Sequence, residues 1–267
     1  MPTRQEKLES KHYALSGAAG RRYHHRVATE TTTTTSAEET ENSATLLLPV
    51  GHSVGTRYRP GELTAPHQVR RGATFHELSD DHFAVWSAAH GTPDAVDDER
   101  PWHRQAVEAD PRVAGHTGGA DLVDQLLGLG LLVEVTPGTE QALEFARTHR
   151  LVPLMLGLGN SSDEAGMFGI GFLHQPVMEV SYSIYDLWQW STMDDSLWAT
   201  CQNAADVARR AGATQPESID AAALLTGFLP ALHALLVPHA AYLDTYFRLG
   251  WPGGTAASAG ALAADDD

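Results

Sequence analysis

Apolar positions along this chain follow two textures. Short runs such as "LLLPVG" (46–51), "ATFHELS" (73–79), "LVPLMLG" (151–157) and "VMEVS" (177–181) are bounded by Gly, Pro, Arg or Ser and predict strands. Elsewhere apolar side chains recur every three or four residues and predict helices: Phe83, Trp86 and Ala89, then a helix anchored by Trp102 or Trp198, then Leu122, Leu126 and Leu129. In "ATFHELSDDHFAVW" one texture turns directly into the other. Ser79 can accept from the free N–H groups of a helix start, and Asp80 and Asp81 suit its positive end.

That junction is written twice. "FHELSDDHFAVW" (75–86) lies over "VMEVSYSIYDLW" (177–188), matching Ser79 to Ser181, Phe83 to Tyr185 and Trp86 to Trp188 at an offset of 102. "LLLPVG" has its counterpart in "LVPLMLG", "DDERPWHRQA" (97–106) in "DDSLWATCQNAA" (194–205), and "DLVDQLLGLGLLVEV" (121–135) in "ALLTGFLPALHALLV" (223–237). Four blocks in the same order predict an internal duplication; two copies make tandem small domains rather than a solenoid. "GLLVEV" should close the first copy as a returning strand. The expected fold class is α+β: two tandem winged-helix-like units, each a three-stranded sheet plus three helices, over residues 46–140 and 141–250. A polar N-terminal arm (1–45), containing "ATETTTTTSAEETENSA", is expected to be disordered, and 251–267 to be a flexible tail.

The chain has 267 residues, Lys+Arg 18 against Asp+Glu 34, and a net charge of −16. Such an acidic balance argues against binding a phosphate backbone. Both lysines, Lys7 and Lys11, lie near the start, so later positive charge is arginine. A single cysteine, Cys201, rules out an internal disulfide and fits a reducing, cytoplasmic setting. The stretch "MPTRQEKLESKHYALSG" (1–17) lacks the apolar h-region expected of a secretory signal. The most apolar stretch, from Ala221, is interrupted by Pro230, His233, Pro238 and His239 and reads as a buried helix with its exit turn, so no membrane partner is expected.

A short apolar hairpin, a strand, a serine cap, the helix "HFAVW" with a Gly after it, and a closing helix "DLVDQLLGLGLL" together resemble the small pyrroloquinoline-quinone chaperone (PqqD-like) fold. That fold recurs as the recognition element for leader peptides of ribosomally made, post-translationally modified peptides (RiPPs). The resemblance covers 46–135, and 150–240 more loosely; the tandem arrangement is similar to free-standing recognition proteins of daptide-type clusters. It implies that an extended leader adds a strand beside Thr74, Phe75, His76, Glu77 and Leu78 and rests against Leu122, Gln125 and Leu126. The second-unit equivalents are Val177, Met178, Glu179, Val180, Leu224 and Leu225. The long linker "GTPDAVDDERPWHRQAVEADPRVAGHTGG" departs from the family pattern at the second helix.

Charge points to the same margin. Arg57, Arg59, Arg70 and Arg71 flank the first proposed edge strand, and the second copy lacks matching arginines. A positive rim on a negative protein would steer an acidic peptide there. The bland rival is a solvated loop whose arginines offset nearby carboxylates.

Catalytic and metal signatures are missing from the sequence. Fourteen histidines form no HExxH, HxH or His/Cys cluster, so no metal or cofactor is expected; His174, His233 and His239 read as partly buried structural residues. Cys201 reads as a packed thiol. "GLGNSSDEAGMFGIG" (157–171) lacks a P-loop Lys-Ser/Thr and reads as a hairpin turn. Asp97-Asp98 and Asp194-Asp195 read as helix caps rather than an acid/base pair. Three functions remain: a non-catalytic recognition protein that delivers a precursor leader to separate modifying enzymes, a winged-helix transcriptional regulator, or an accessory subunit of a modifying enzyme complex. The closing helices offer one Gln and no Lys or Arg for a major groove, which disfavours the regulator. Whether the second unit dimerises or only buttresses the first, through Trp188, Trp190 and Trp198, stays open.

Overall fold

Two runs of strands, each followed by helices and closed by one more strand, set the order of elements. The computed structural model describes residues 21–22, 45–61, 65–115, 118–160 and 166–245. The expected tail lies outside these residues, as does the expected arm except for Thr45 and β1 (Arg21–Arg22). A strand at Arg21–Arg22 departs from the expectation of an arm without structure.

The first half comprises β2 (Leu46–Pro49), β3 (His52–Thr56), β4 (His67–Arg71) and β5 (Thr74–Leu78), then α1 (Asp80–Ala88), α2 (Pro93–Asp97), α3 (Arg104–Glu108), α4 (Pro111–Ala114), α5 (Gly119–Gly128) and β6 (Leu132–Val135). Helix α6 (Glu140–Thr148) links it to the second half. There β7 (His149–Pro153), β8 (Leu156–Asn160), β9 (Met167–Phe172) and β10 (Gln175–Ser181) lead to α7 (Tyr182–Trp190), α8 (Leu197–Arg210), α9 (Pro216–Ile219), α10 (Ala221–Leu236) and β11 (Ala241–Thr245). The result is a mixed α+β fold with several small antiparallel sheets.

The halves echo one another in hydrogen bonding as well as order. In each, the first strand pairs antiparallel with the last, β2 with β6 and β7 with β11. In each, a three-stranded antiparallel meander follows, β3-β4-β5 and β8-β9-β10. Val50 N–H donates to Leu131 O at 2.8 Å just before β6, and Leu154 N–H donates to Ala240 O at 2.9 Å just before β11. A one-turn helix begun by proline precedes the closing helix both times, at Pro111 and Pro216.

Strand β2 shows why the halves are not separate beads. All four of its side chains are buried, because period-two alternation serves a different core on each face. Leu47 packs with Val69, Val85, Trp86, Val123 and Leu126. Leu46 and Leu48 join Leu151, Trp188, Leu229 and Leu232. The seam is completed by a parallel bridge from Val50 to Leu243 and by His233 Nε2, which donates to Leu47 O at 3.2 Å.

Several local expectations are corrected. Ser79 caps α1 by accepting from His82 N–H at 3.4 Å, but Ser181 makes no such bond and meets Ser183 Oγ instead at 3.2 Å. Trp102 lies in the connection before α3, not on a helix, and its indole donates to Ala88 O at 3.0 Å. Asp97 ends α2 and Asp98 is its C-cap; the caps of α3 and α8 are His103 and Ser196. Two short helices, α2 and α3, therefore occupy the place that one 14-residue helix, α8, fills in the second half, because the non-helical stretch around Pro101 breaks the run. His174 is exposed with φ 62°, a turn position rather than a buried one.

Candidate functional site

β5 is the outer strand of its sheet. It pairs with β4 from Arg71↔Thr74 to His67↔Leu78, and among the described residues no strand pairs with its other side. Such a margin presents alternate backbone N–H and C=O groups to an incoming chain. Alternation sends Thr74, His76 and Leu78 to the helix side and Phe75 and Glu77 to the outer face. Leu78 reaches the core, whereas Phe75 remains 58% exposed. Arg59 pairs with Glu77 across the outer face, and Gln68 Nε2 donates to the same carboxylate at 3.4 Å.

A short hydrogen-bonded chain ties the end of β5 to α5. With its proton on Nε2, His82 donates to Gln125 Oε1 at 2.9 Å and accepts from Ser79 Oγ at Nδ1, at 2.8 Å. The N-terminal turn of α1 thus sits between the strand and α5. Beside it, His67 stacks on Phe83 with ring centroids 4.0 Å apart and meets Asp80 Oδ1 at 3.0 Å. His76 Nε2 is buried and has no hydrogen-bond partner among the described residues. Burial, and then the neighbouring Arg71 charge, lower the His76 pKa from its ordinary value, favouring a neutral ring.

The residues expected to form the site fall into three groups. Thr74, Phe75, His76 and Glu77 do line the free margin, with Gln125 close by through His82. Leu122 and Leu126 instead belong to the core under α5 and offer nothing to a groove. Leu129, the C-cap of α5 one turn beyond Gln125, is 42% exposed and is the large apolar residue turned to solvent at that end of the helix. The i, i+4 spacing from Gln125 could have found it.

Arg70 and Arg71 turn to the seam between the halves rather than standing as a rim. Arg70 Nη1 lies 3.2 Å from Asp244 Oδ2 and 2.7 Å from Gly72 O, and Nη2 donates to Tyr242 Oη at 2.7 Å. Arg71 lies against Gly130, at φ +65°, where any side chain would collide with the guanidinium. Of the four arginines, Arg57 and Arg59 stay on the meander's exposed loop.

The equivalents in the second half are placed differently. Met178 and Val180 point into the core, as does Leu225, while Val177, Glu179 and Leu224 are half-buried. The outer edge of β10 is not open: β1 pairs with it in parallel, Arg21↔Met178 and Arg22↔Glu179. A cavity of about 360 Å³ also opens between α7 and α8, lined by Trp190, Met193, Ala204 and Val207 with Asp186 and Asp194. Partial burial raises the Asp186 pKa there, opposed by the bond that Trp190 Nε1–H donates to it.

Chemical groups elsewhere are quiescent. Burial, with Asp194 nearby, pushes the Cys201 thiol up to about 12, far from a reactive thiolate at neutral pH. Among the described residues, no group of three or more His, Cys, Asp or Glu could hold a metal ion. Strands β8 and β9 pair as an antiparallel hairpin; the turn at 161–165 lies outside the described residues. No described helix is long and apolar enough to cross a membrane. No protein-family model, curated protein or solved structure matches the chain.

Proposed function

We propose that this chain is a non-catalytic peptide-recognition protein that takes the leader region of a ribosomally synthesised precursor as an added strand along β5 and presents it to separate modifying enzymes. The observation that carries this reading is the outer edge of β5, with which no strand pairs among the described residues, with exposed Phe75 on it and His76 Nε2 buried without a hydrogen-bond partner among those residues. Strand addition supplies affinity through main-chain hydrogen bonds, and neighbouring side chains supply selectivity. Arg57 and Arg59 favour an acidic peptide. On this reading the recurring strand-meander-helix order is a pair of winged-helix-like units over 46–140 and 141–250, working in the cytoplasm without cofactor.

Titration of the full chain with a synthetic acidic leader, from a short reading frame beside modification enzymes, tests the proposal. Micromolar or tighter binding is expected. A peptide of the same sequence N-methylated at alternate backbone positions keeps its side chains but cannot complete the ladder, so its binding should fall at least about tenfold in one of the two methylation registers, the scale of one or two lost hydrogen bonds. Phe75→Ala should weaken binding without unfolding the chain. Unchanged affinity for both methylated registers would remove strand addition as the mode. A duplex shifted at low salt while the leader fails to bind would point to DNA instead.

A further inference from the structure

We infer that the outer edge of β10 is a second extended-chain slot, selective for a basic segment and occupied in cis by the chain's own residues around Arg21–Arg22. The two meanders are equivalent in order, and Glu77 on β5 matches Glu179 on β10 at the offset of 102. Yet among the described residues one margin has no paired strand and the other carries a strand from the N-terminal arm.

Charge explains the difference. Glu179 stands opposite Arg22 in the register, and β10 with α7 holds Glu179 and Asp186 and no lysine or arginine. The first meander instead carries Arg57 and Arg59 on its exposed loop, Arg59 paired with Glu77, while Arg70 and Arg71 turn away from the margin. An acidic neighbourhood attracts the segment "GRRYHHR" (20–26), and the basic loop of the first half does not.

Tethering makes this occupancy strong even where each contact is weak. A segment covalently joined to its site can act at an effective concentration of roughly millimolar. A free basic peptide therefore has to outcompete the resident segment, which reserves the second margin and leaves β5 as the one available to a partner. The inference uses the strand-addition chemistry proposed above, but a failure of leader binding at β5 leaves the following tests untouched.

In the full chain, R22C/E179C places one cysteine on each of two paired residues. Neighbouring strands lie about 4.8 Å apart, inside the roughly 4.4–6.8 Å window of a disulfide. Cys201 is buried and stays out of the reaction. Mild oxidation should crosslink R22C/E179C and leave R22C/E77C, the matching glutamate of the free margin, uncrosslinked, as read by intact mass and peptide mapping. In a second arm, a labelled synthetic peptide of residues 17–28 should bind the full-length R21E/R22E variant about tenfold or more tighter than the unaltered chain, with E179K added to the variant abolishing the gain. Equal crosslinking at both positions, none at E179C, or peptide binding unaffected by R21E/R22E would each overturn the inference.

Discussion

Arg70 and Asp244 join the two halves through a buried ion pair, Nη1 to Oδ2 at 3.2 Å, with Asp244 wholly shielded from solvent. Gly72 N–H donates to Asp244 Oδ1 at 2.6 Å and Thr245 N–H to the same oxygen at 3.0 Å. The carboxylate thus fastens the β4–β5 turn to β11. Removing Arg70 leaves a buried charge short of its counterion, a change that typically costs ~3–5 kcal/mol. Arg70→Met should therefore lower the urea unfolding free energy by about 3 kcal/mol, and R70M/D244N by less than the two single changes together. Additive losses would show that the pair is not coupled.

Stability should fall as pH drops below neutrality. Burial lowers His90 to about 3 and His233 to about 4, with His239 adding repulsion at His90, while both rings bond backbone carbonyls. The unfolded rings titrate near 6.5. Between that value and the folded values the unfolded chain binds more protons, so stability is full above pH ~6.5 and is lost progressively down to about pH 4 and then 3. The slope is about 1.4 kcal/mol per pH unit for each histidine within its window. Thermal midpoints across pH 4–7 check this, and His90→Phe should flatten the slope.

Gly130 is held at φ +65° against the Arg71 guanidinium. Gly130→Ala should cost ~1–2 kcal/mol from the left-handed backbone alone, plus the displacement of Arg71. Adding Arg71→Ala should recover the steric part and leave the backbone part, as denaturant midpoints will show.

Trp188 fills the larger core and donates to Ala240 O at 3.1 Å. Trp188→Ala should lose ~3–5 kcal/mol, while Trp188→Phe should lose less, keeping much of the packing and giving up the indole bond. Equilibrium unfolding followed by circular dichroism separates the two.

Local signals carried much of the fold. The strand at Thr74–Leu78, its passage through Ser79 into a helix, the returning strand at Leu132–Val135 and the recurrence of the whole order were legible because period-two and helical spacing, caps and turns are written in neighbouring residues. The subdivided region from Pro93 to Ala114 was misread since its apolar residues, Trp102 among them, mark burial without fixing helix boundaries. At the site, period-two alternation along β5 sets Phe75 and Glu77 outward, whereas Leu122 and Leu126, expected in the groove, belong to the core. An apolar side chain reads the same whether it faces a core or a ligand.

The sequence by itself determined the duplicated order of strands and helices, the acidic balance and the serine at the α1 start, all of which depend on residues close in the chain or on composition. Tertiary structure decided that Arg70 is spent on the seam, that His82 bridges Ser79 to Gln125, that β2 serves two cores, and that among the described residues one meander edge has no paired strand while the other is covered by Arg21–Arg22. Those facts join positions as distant as Arg22 and Glu179. Pairing at such range is settled by which surfaces meet when the chain closes on itself, and no local periodicity encodes it.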